Sequence, residues 1–281
     1  MRRITRPFRH AAAAFLLVLV SGFLRILPRA WVGRAGYVFG LFIGCIARRQ
    51  NRLVKRQLSA YLDTPPAAGK TWGDLGRRLF ELMDAKRQLT MVRISDQGRQ
   101  IFEEARSEGR GILVATLHLG HWELMAAALV QAGYAFKSIA AKPKSSPIHD
   151  RLSATRASLG IRIIHPGRGA RDALRELKAG GTVSLFIDQK TGERSRTLEF
   201  LGHSAPTPLT FDRLREASQA ISLMVWNYRS EEGHYTIEVA RIDGKDPLKA
   251  ATRHAEQLIR TYPEQWIWFH KRWDNDVDRS R

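Results

Sequence analysis

Apolar residues along this chain change their spacing several times, and each change predicts an element. Between residues 72 and 93, Leu75, Leu79, Leu82, Met83 and Leu89 recur at helical intervals, which predicts an amphipathic helix. A shorter helix is expected over 101–106, ended by Gly109. Beyond it, short apolar runs alternate with helical patterns. Strands are expected at 112–117, about 136–140, 161–164 and 182–187, with helices at about 122–131, 147–159 and 170–178 among them. An irregular stretch then reaches about 208. A helix over 209–218, a hairpin of strands 221–228 and 234–241, and a last helix near 247–261 complete the pattern. Strands alternating with helices in this way predict an α/β fold, a layered sheet with helices on both faces.

The first sixty residues read differently. Residues 11–24 carry no charge and follow Arg2, Arg3, Arg6 and Arg9. A second apolar stretch, 35–47, is followed by Arg48, Arg49, Arg52, Lys55 and Arg56. A basic flank before an apolar run resembles a signal peptide, but no small-x-small cleavage site follows, and the run passes into Arg25-Ile-Leu-Pro28. Such runs are also short of the roughly 20 residues that a full span needs. The expectation is an uncleaved N-terminal anchor helix within residues 1–60, lying in or barely crossing a membrane leaflet, with basic flanks gripping an anionic membrane surface. A core helix with an exposed basic end is the alternative. The turn-rich stretch 63–69 then leads into one further domain, residues 61–281.

Composition narrows the partners. The chain has 281 residues, 44% of them hydrophobic, enough to build one large domain with a full core. Lys and Arg number 46 against 27 acidic residues, a net charge of +19 that favours anionic lipid headgroups, nucleic acid or an acidic protein. The single cysteine, Cys45, excludes an internal disulfide and a multi-cysteine zinc site; within Phe42-Ile-Gly-Cys-Ile46 it is expected to act as a small hydrophobe.

The most informative residues are His118-Leu-Gly-His-Trp-Glu123, which follow the strand-like run Ile112-Leu-Val-Ala-Thr-Leu117. An imidazole at a strand tip, with a carboxylate five residues on at a helix start, makes a base-and-orienter pair. The acid fixes the tautomer and the free ring nitrogen takes a proton from a hydroxyl. That chemistry suits acyl transfer to an alcohol without a covalent acyl-enzyme. A metal reading, His118 and His121 with Glu123, lacks further ligands and their support. Asp188 and Gln189 end a later strand, where α/β sheets bind ligands. Arg156 would offer a bidentate fork to an anionic substrate. Arg77 and Arg78 read as a solvated or membrane-adjacent helix face. Trp266, Trp268 and Trp273, interleaved with Lys271 and Arg272, read as a buried strand with a basic edge or an interfacial anchor, and less readily as a nucleic-acid stacking platform.

Five features in order carry a family resemblance: His118-x4-Glu123 after a strand; Lys142-Pro-Lys-Ser-Ser-Pro147 with Arg151 and Arg156; Leu177 through Asp188-Gln189; Phe200-Leu-Gly-His-Ser-Ala-Pro-Thr207; and Tyr262 through Trp273. Together they resemble the lipid A biosynthesis acyltransferase family, within the lysophospholipid acyltransferase superfamily. Its members are bacterial inner-membrane enzymes that add acyl chains to lipid A precursors from acyl carrier protein. The resemblance implies His118 as catalytic histidine, Glu123 as its acidic partner, Arg156 near the active site and Asp188 as the acid closing the next strand. It also implies acyl carrier protein as donor, a membrane glycolipid as acceptor, the cytoplasmic face of the inner membrane as location, and no cofactor. His121 stands where the family often has Asn, and Gln57-Leu58 where it has Asn-Leu; the segment Phe211 to Glu216 is unusually charged. These departures bear on the acceptor more than on the reaction.

Two other readings compete. A glycerophospholipid acyltransferase would share the fold, but those enzymes use Asn-His-x4-Asp, whereas Thr116-Leu117 precedes His118 here and Glu replaces Asp. A basic binding protein without chemistry explains the charge but not a His-Glu box at a strand tip, and no nucleic-acid partner is expected.

Overall fold

The computed structural model describes residues 19–134, 136–140, 147–165, 169–191 and 194–273. The basic flank of Arg2, Arg3, Arg6 and Arg9, the first part of the apolar run 11–24, and Lys142 through Ser146 lie outside the described residues. After a helical segment over 19–26 come helices α1 (Arg29–Ile46), α2 (Arg48–Tyr61) and α3 (Ala68–Met83), then strand β1 (Val92–Ile94) and helix α4 (Asp96–Ser107). The alternating part runs β2 (Ile112–Thr116), α5 (Trp122–Gln131), β3 (Phe136–Ile139), α6 (Pro147–Ser158), β4 (Arg162–Ile164), α7 (Gly169–Lys178) and β5 (Thr182–Phe186). A hairpin of β6 (Ser195–Phe200) and β7 (His203–Pro208) follows. Helix α8 (Thr210–Ser218), strands β8 (Ile221–Arg229) and β9 (Tyr235–Arg241), and helix α9 (Pro247–Thr261) close the fold.

Seven strands form one mixed sheet in the order β1-β9-β8-β2-β5-β3-β4, in which β8 and β9 pair antiparallel and the other neighbours run parallel. Parallel strands need both faces covered, and alternate residues of β2 show how this is done. Leu113 and Ala115 join one apolar cluster with α2, α7, α8 and α9 residues such as Leu58, Leu177, Phe211 and Leu248. Ile112 and Val114 join the other, with Phe102 of α4 and Leu124 of α5. The expected layered α/β architecture, with helices on both faces, is what forms.

Helix α1 lies along α3 through small residues. A Cβ on Gly40 would come 2.1 Å from the Trp72 carbonyl oxygen, and one on Gly76 would come 2.2 Å from that of Gly36. Helices this close need glycine at the crossing. The outer side of α1 and the segment before it expose Phe23, Ile26, Trp31, Val38, Phe42 and Ile46 to solvent. No single helix among the described residues is long and apolar enough to cross a membrane; α1 and α2 meet that length and composition only as a pair, bent by 100°.

Several expectations change. The helix begun at 72–93 stops at Met83, and β1 forms over its expected end as an edge strand beside β9. Cys45 is exposed, because the inner side of α1 is filled by glycines and the thiol falls on the outer side. Residues 195–208, read as irregular, make the β6–β7 hairpin, whose turn at Leu201 and Gly202 has positive φ at both positions (53° and 79°). Two such residues are what a tight two-residue hairpin turn requires. Pro206 and Pro208 hid the strand, since proline is tolerated in sheets mainly at edges.

Candidate active site

Strands β2 and β5 are adjacent and parallel, with Thr116 opposite Phe186. Two residues beyond each strand end stand His118 and Asp188, so the sheet's register brings together side chains seventy positions apart. The ring Nδ1 of His118 lies 2.9 Å from Asp188 Oδ1, and the His118 backbone N–H donates to Asp188 Oδ2 at 2.7 Å. The indole Nε1–H of Trp266 donates to the same Oδ2, also at 2.7 Å. Asp188 is fully buried. Burial alone would raise its carboxyl, but the His118 charge and the hydrogen bonds from His118 and Trp266 outweigh that and hold it below the ordinary carboxylate range. In the neutral ring, a buried, ionised acid on Nδ1 places the proton there and leaves the lone pair on Nε2.

The ring stacks on Phe186 at 3.9 Å between centroids and meets the edge of Trp122 at 5.1 Å, which fixes its plane. Its side chain is 17% exposed, enough to be reached. Trp122 and Phe186 also wall a narrow cavity of about 20 Å³, lined further by Val114, Met125, Leu129 and Val225. The site therefore sets a basic ring nitrogen beside an apolar crevice.

Glu123 is held elsewhere. Its two carboxylate oxygens accept from Arg156, Nε at 2.9 Å and Nη2 through a shorter contact, a bidentate pair joining α5 to α6. The expectation that Glu123 orients the imidazole is corrected in this respect: Nδ1 has Asp188, and Glu123 has Arg156. Local spacing favoured the acid on the same loop, whereas the acid that reaches Nδ1 comes from the neighbouring strand. Gln189 is half-buried in the turn after Asp188 and makes no hydrogen bond to these groups among the described residues.

The loop carrying His118 is fixed from three sides. Gly120 has φ 59°, and a Cβ there would lie 2.3 Å from the Asn227 carbonyl oxygen, so only glycine passes this point. The Gly120 N–H donates to the Gln265 carbonyl at 3.1 Å, and the Ile267 N–H donates to that of His118 at 3.2 Å. Arg78 Nη1 donates to the Gly120 carbonyl at 2.8 Å while its Nε pairs with Asp74 at 2.9 Å. Arg78 is buried, so the reading of it as a solvated or membrane-adjacent face is corrected; an ion pair on its own helix lets it sit inside. Asn227 Oδ1 accepts from the His121 N–H at 2.7 Å.

His121 is buried and caps α5, its Nδ1 accepting from the Leu124 N–H at 3.3 Å. Burial, then the Arg78 charge, pushes its pKa down to about 3, so the ring is neutral. Among the described residues no group of three His, Cys, Asp or Glu side chains is placed to hold a metal ion.

The C-terminal aromatic segment is interior. Trp266, Trp268 and Trp273 are buried, so neither the interfacial anchor nor the stacking platform describes them. Trp266 is the residue the sequence reading missed as part of the site: aromatic periodicity does not show which indole reaches a carboxylate on another strand. His270 was also missed. Its pKa is lowered, chiefly by burial, against an opposing pull from Asp188, and Asp188 and His118 are both close enough to act on it.

The sequence pattern that defines the bacterial lipid A biosynthesis acyltransferase family matches residues 3–275. A phosphatidylinositol mannoside acyltransferase of Mycobacterium tuberculosis (strain ATCC 25618 / H37Rv) is 22% identical over 249 residues, 81% of this chain and 78% of that protein. Lipid A biosynthesis acyltransferase 2 of Shigella flexneri is 24% identical over 189 residues, 64% of this chain and 60% of that one. The phosphatidylinositol mannoside acyltransferase of Mycolicibacterium smegmatis is 22% identical over 186 residues, covering 63% and 61%.

Proposed function

The chain belongs to the bacterial lipid A biosynthesis acyltransferase family, and from that membership we propose that it moves a fatty acyl group from a thioester to a hydroxyl of a membrane glycolipid, with His118 as general base. The observation that carries this reading is the His118–Asp188 pair at the tips of adjacent parallel strands, beside an apolar crevice.

The acceptor hydroxyl gives its proton to Nε2 of His118 as its oxygen bonds to the thioester carbonyl carbon. Asp188 holds the ring and stabilises the imidazolium that forms. The tetrahedral intermediate then collapses, the carbon–sulfur bond breaks, and the imidazolium proton goes to the departing sulfur. No acyl group is bonded to the protein. General-base catalysis of this kind contributes about 10²- to 10⁴-fold. Glu123 orients Arg156, whose second terminal nitrogen is not engaged by that carboxylate and serves the oxyanion or an anionic group of the acceptor. Gln189, next to Asp188, contributes to the substrate-binding edge.

Acyl carrier protein is the proposed donor, since it is acidic and the chain carries +19. A lipid A precursor is one acceptor of the proposed class; the two mycobacterial relatives, named for a mannosylated phosphatidylinositol, support the wider class of membrane glycolipids. The proposed location is the cytoplasmic face of the bacterial inner membrane, with α1 lying in the interface as an anchor helix. The apolar side chains it exposes beside basic residues support that placement. Mass spectrometry of membrane glycolipids from cells with and without the gene tests the reading. A glycolipid lighter by one acyl chain in the deletion is expected, and an unchanged glycolipid profile overturns it.

A further inference from the structure

A second cavity, of about 700 Å³, lies between α1, α3, the segment after α3 and the β8–β9 hairpin. Arg29 and Arg34 of α1, Arg77 of α3, Arg87 and Arg229 line it, with Glu81, Glu231 and Glu232. The arginines are not equally occupied. Arg87 is closed, donating Nε to both Asp84 oxygens at 2.8 and 2.9 Å and its terminal nitrogens to the Leu24 and Leu27 carbonyls. Arg77 reaches Asp74 only at 3.4 Å and otherwise lies over the Tyr37 ring. Arg29 donates to the Thr90 hydroxyl, and Arg34 lies over the Trp31 ring. Arg229 keeps a buried Nε without a hydrogen-bond partner, and its head fits where Gly233 has no side chain, a Cβ there coming 2.8 Å from its Nη2. Of the acids, Glu231 and Glu232 are exposed on the hairpin, and Glu81 is turned inward, accepting from the Tyr235 hydroxyl at 2.7 Å.

We propose that this cavity binds the phosphate group of an anionic membrane lipid, whose headgroup, unlike that of phosphatidylcholine, carries no ammonium to set against the arginines. Four guanidinium groups from three elements converge on it without a bidentate carboxylate of their own, and planar forks of this kind match phosphate oxygens. Its wall is α1, whose outward side exposes Trp31, Val38 and Phe42, so the cavity opens next to the apolar surface of the fold. That position selects a lipid phosphate over a soluble one. The cavity also shares its frame with the catalytic loop. Gln265 accepts from the Arg229 N–H at 2.8 Å and returns a bond to the Arg229 carbonyl at 3.0 Å, while its own carbonyl accepts from Gly120. Arg78, next to Arg77, holds the Gly120 carbonyl. A lipid phosphate bound here is registered to the His118 loop. The inference rests on the reading that α1 faces the bilayer.

The test uses the full chain with vesicles of phosphatidylcholine alone or of phosphatidylcholine with phosphatidylglycerol, and separately with inorganic phosphate. Arg34→Gln/Arg229→Gln is compared with Arg171→Gln/Lys178→Gln on α7, which removes the same charge elsewhere. Arg34→Gln alone, on an exposed helix position, keeps the test readable if the double variant unfolds. The cavity double variant is expected to lose about tenfold or more in affinity for phosphatidylglycerol vesicles, the single variant part of that, and the α7 variant at most about twofold, with phosphatidylcholine binding equal in all. Equal losses from both double variants, or none, overturn the cavity while leaving α1 at the membrane. A wild-type chain that binds neither vesicle overturns the membrane reading and the cavity with it. Saturable inorganic phosphate binding that is lost in the cavity variants, with vesicle binding unaffected, assigns the cavity to a soluble phosphate and overturns the lipid source.

Discussion

Replacing Asp188 with Asn tests the site at its most constrained point. The wild-type carboxylate accepts three N–H groups: Oδ2 takes the His118 backbone and Trp266 indole, and Oδ1 takes His118 Nδ1. An amide of the same shape has one accepting oxygen and one donating nitrogen. With the oxygen at the Oδ2 position it keeps two hydrogen bonds and turns its NH₂ toward Nδ1. The ring must then accept at Nδ1 and carry its proton on Nε2, the nitrogen that has to be free. The flipped amide would face two N–H donors with its own N–H groups, losing two bonds to a neutral acceptor of about 0.5–1.5 kcal/mol each and leaving buried donors unpaired. The first arrangement therefore wins, and the base is lost while the packing survives. A wrong tautomer removes the general base, a loss of about 10²- to 10⁴-fold in rate, equal to about 2.7–5.4 kcal/mol of barrier. Initial rates of acyl transfer with purified wild-type and Asp188→Asn chains, with thermal unfolding as a fold control, measure it. A folded variant that keeps a tenth or more of the wild-type rate refutes Asp188 as the holder of the ring.

Other perturbations separate the remaining roles. Glu123→Gln breaks the bidentate pair with Arg156 but leaves the ring held, so a loss of about 10- to 100-fold is expected, smaller than for Asp188→Asn; a larger loss in the same rate assay would return the orienting role to Glu123. Burial raises the Glu81 pKa to about 7 from 4.5, against the Tyr235 hydrogen bond and the Arg229 and Arg77 charges and with help from Asp74. The native state thus binds the proton more tightly than the unfolded chain, and stability falls as pH rises from about 4.5 to 7, by up to about 3 kcal/mol. His121, depressed to about 3, acts in the opposite sense below about pH 6.5 and does so equally in a Glu81→Gln variant. Denaturant unfolding at pH 5 and pH 8 should show Glu81→Gln gaining on wild type at the higher pH; parallel behaviour at both values contradicts the assignment. Gly40→Ala puts a Cβ 2.1 Å from the Trp72 carbonyl oxygen and forces α1 off α3. A cost of about 1–3 kcal/mol and a melting temperature lower by several degrees are expected, and an unchanged melting curve would show the crossing to be looser.

Much of the frame was legible because buried parallel strands read as short apolar runs with turn residues at their ends. Strands β2 and β5 stood out in this way, and with them His118 and Asp188 at their tips. What the sequence did not reveal is which strands are neighbours. Only the β2–β5 pairing turns Asp188 toward Nδ1, and nothing within His118-Leu-Gly-His-Trp-Glu123 reports it. Trp266 was hidden for the same reason, its partner being on another strand. Arg78 was misread because helical spacing placed it on the polar side, and only packing shows that Asp74 and the Gly120 carbonyl take it inside. Glycines at 33, 36, 40 and 44 explain why α1 packs closely yet leaves its large side chains outward. Apolar content alone could not distinguish that face from a core.

Single-turnover transfer of a labelled acyl group from a thioester to membrane glycolipid, by wild-type and His118→Ala chains matched for folded protein, addresses the catalytic claim most directly. Label should enter the glycolipid with the wild-type chain and fall at least about 10²-fold with His118→Ala. Transfer at the wild-type rate by the His118→Ala chain would contradict a base at this position.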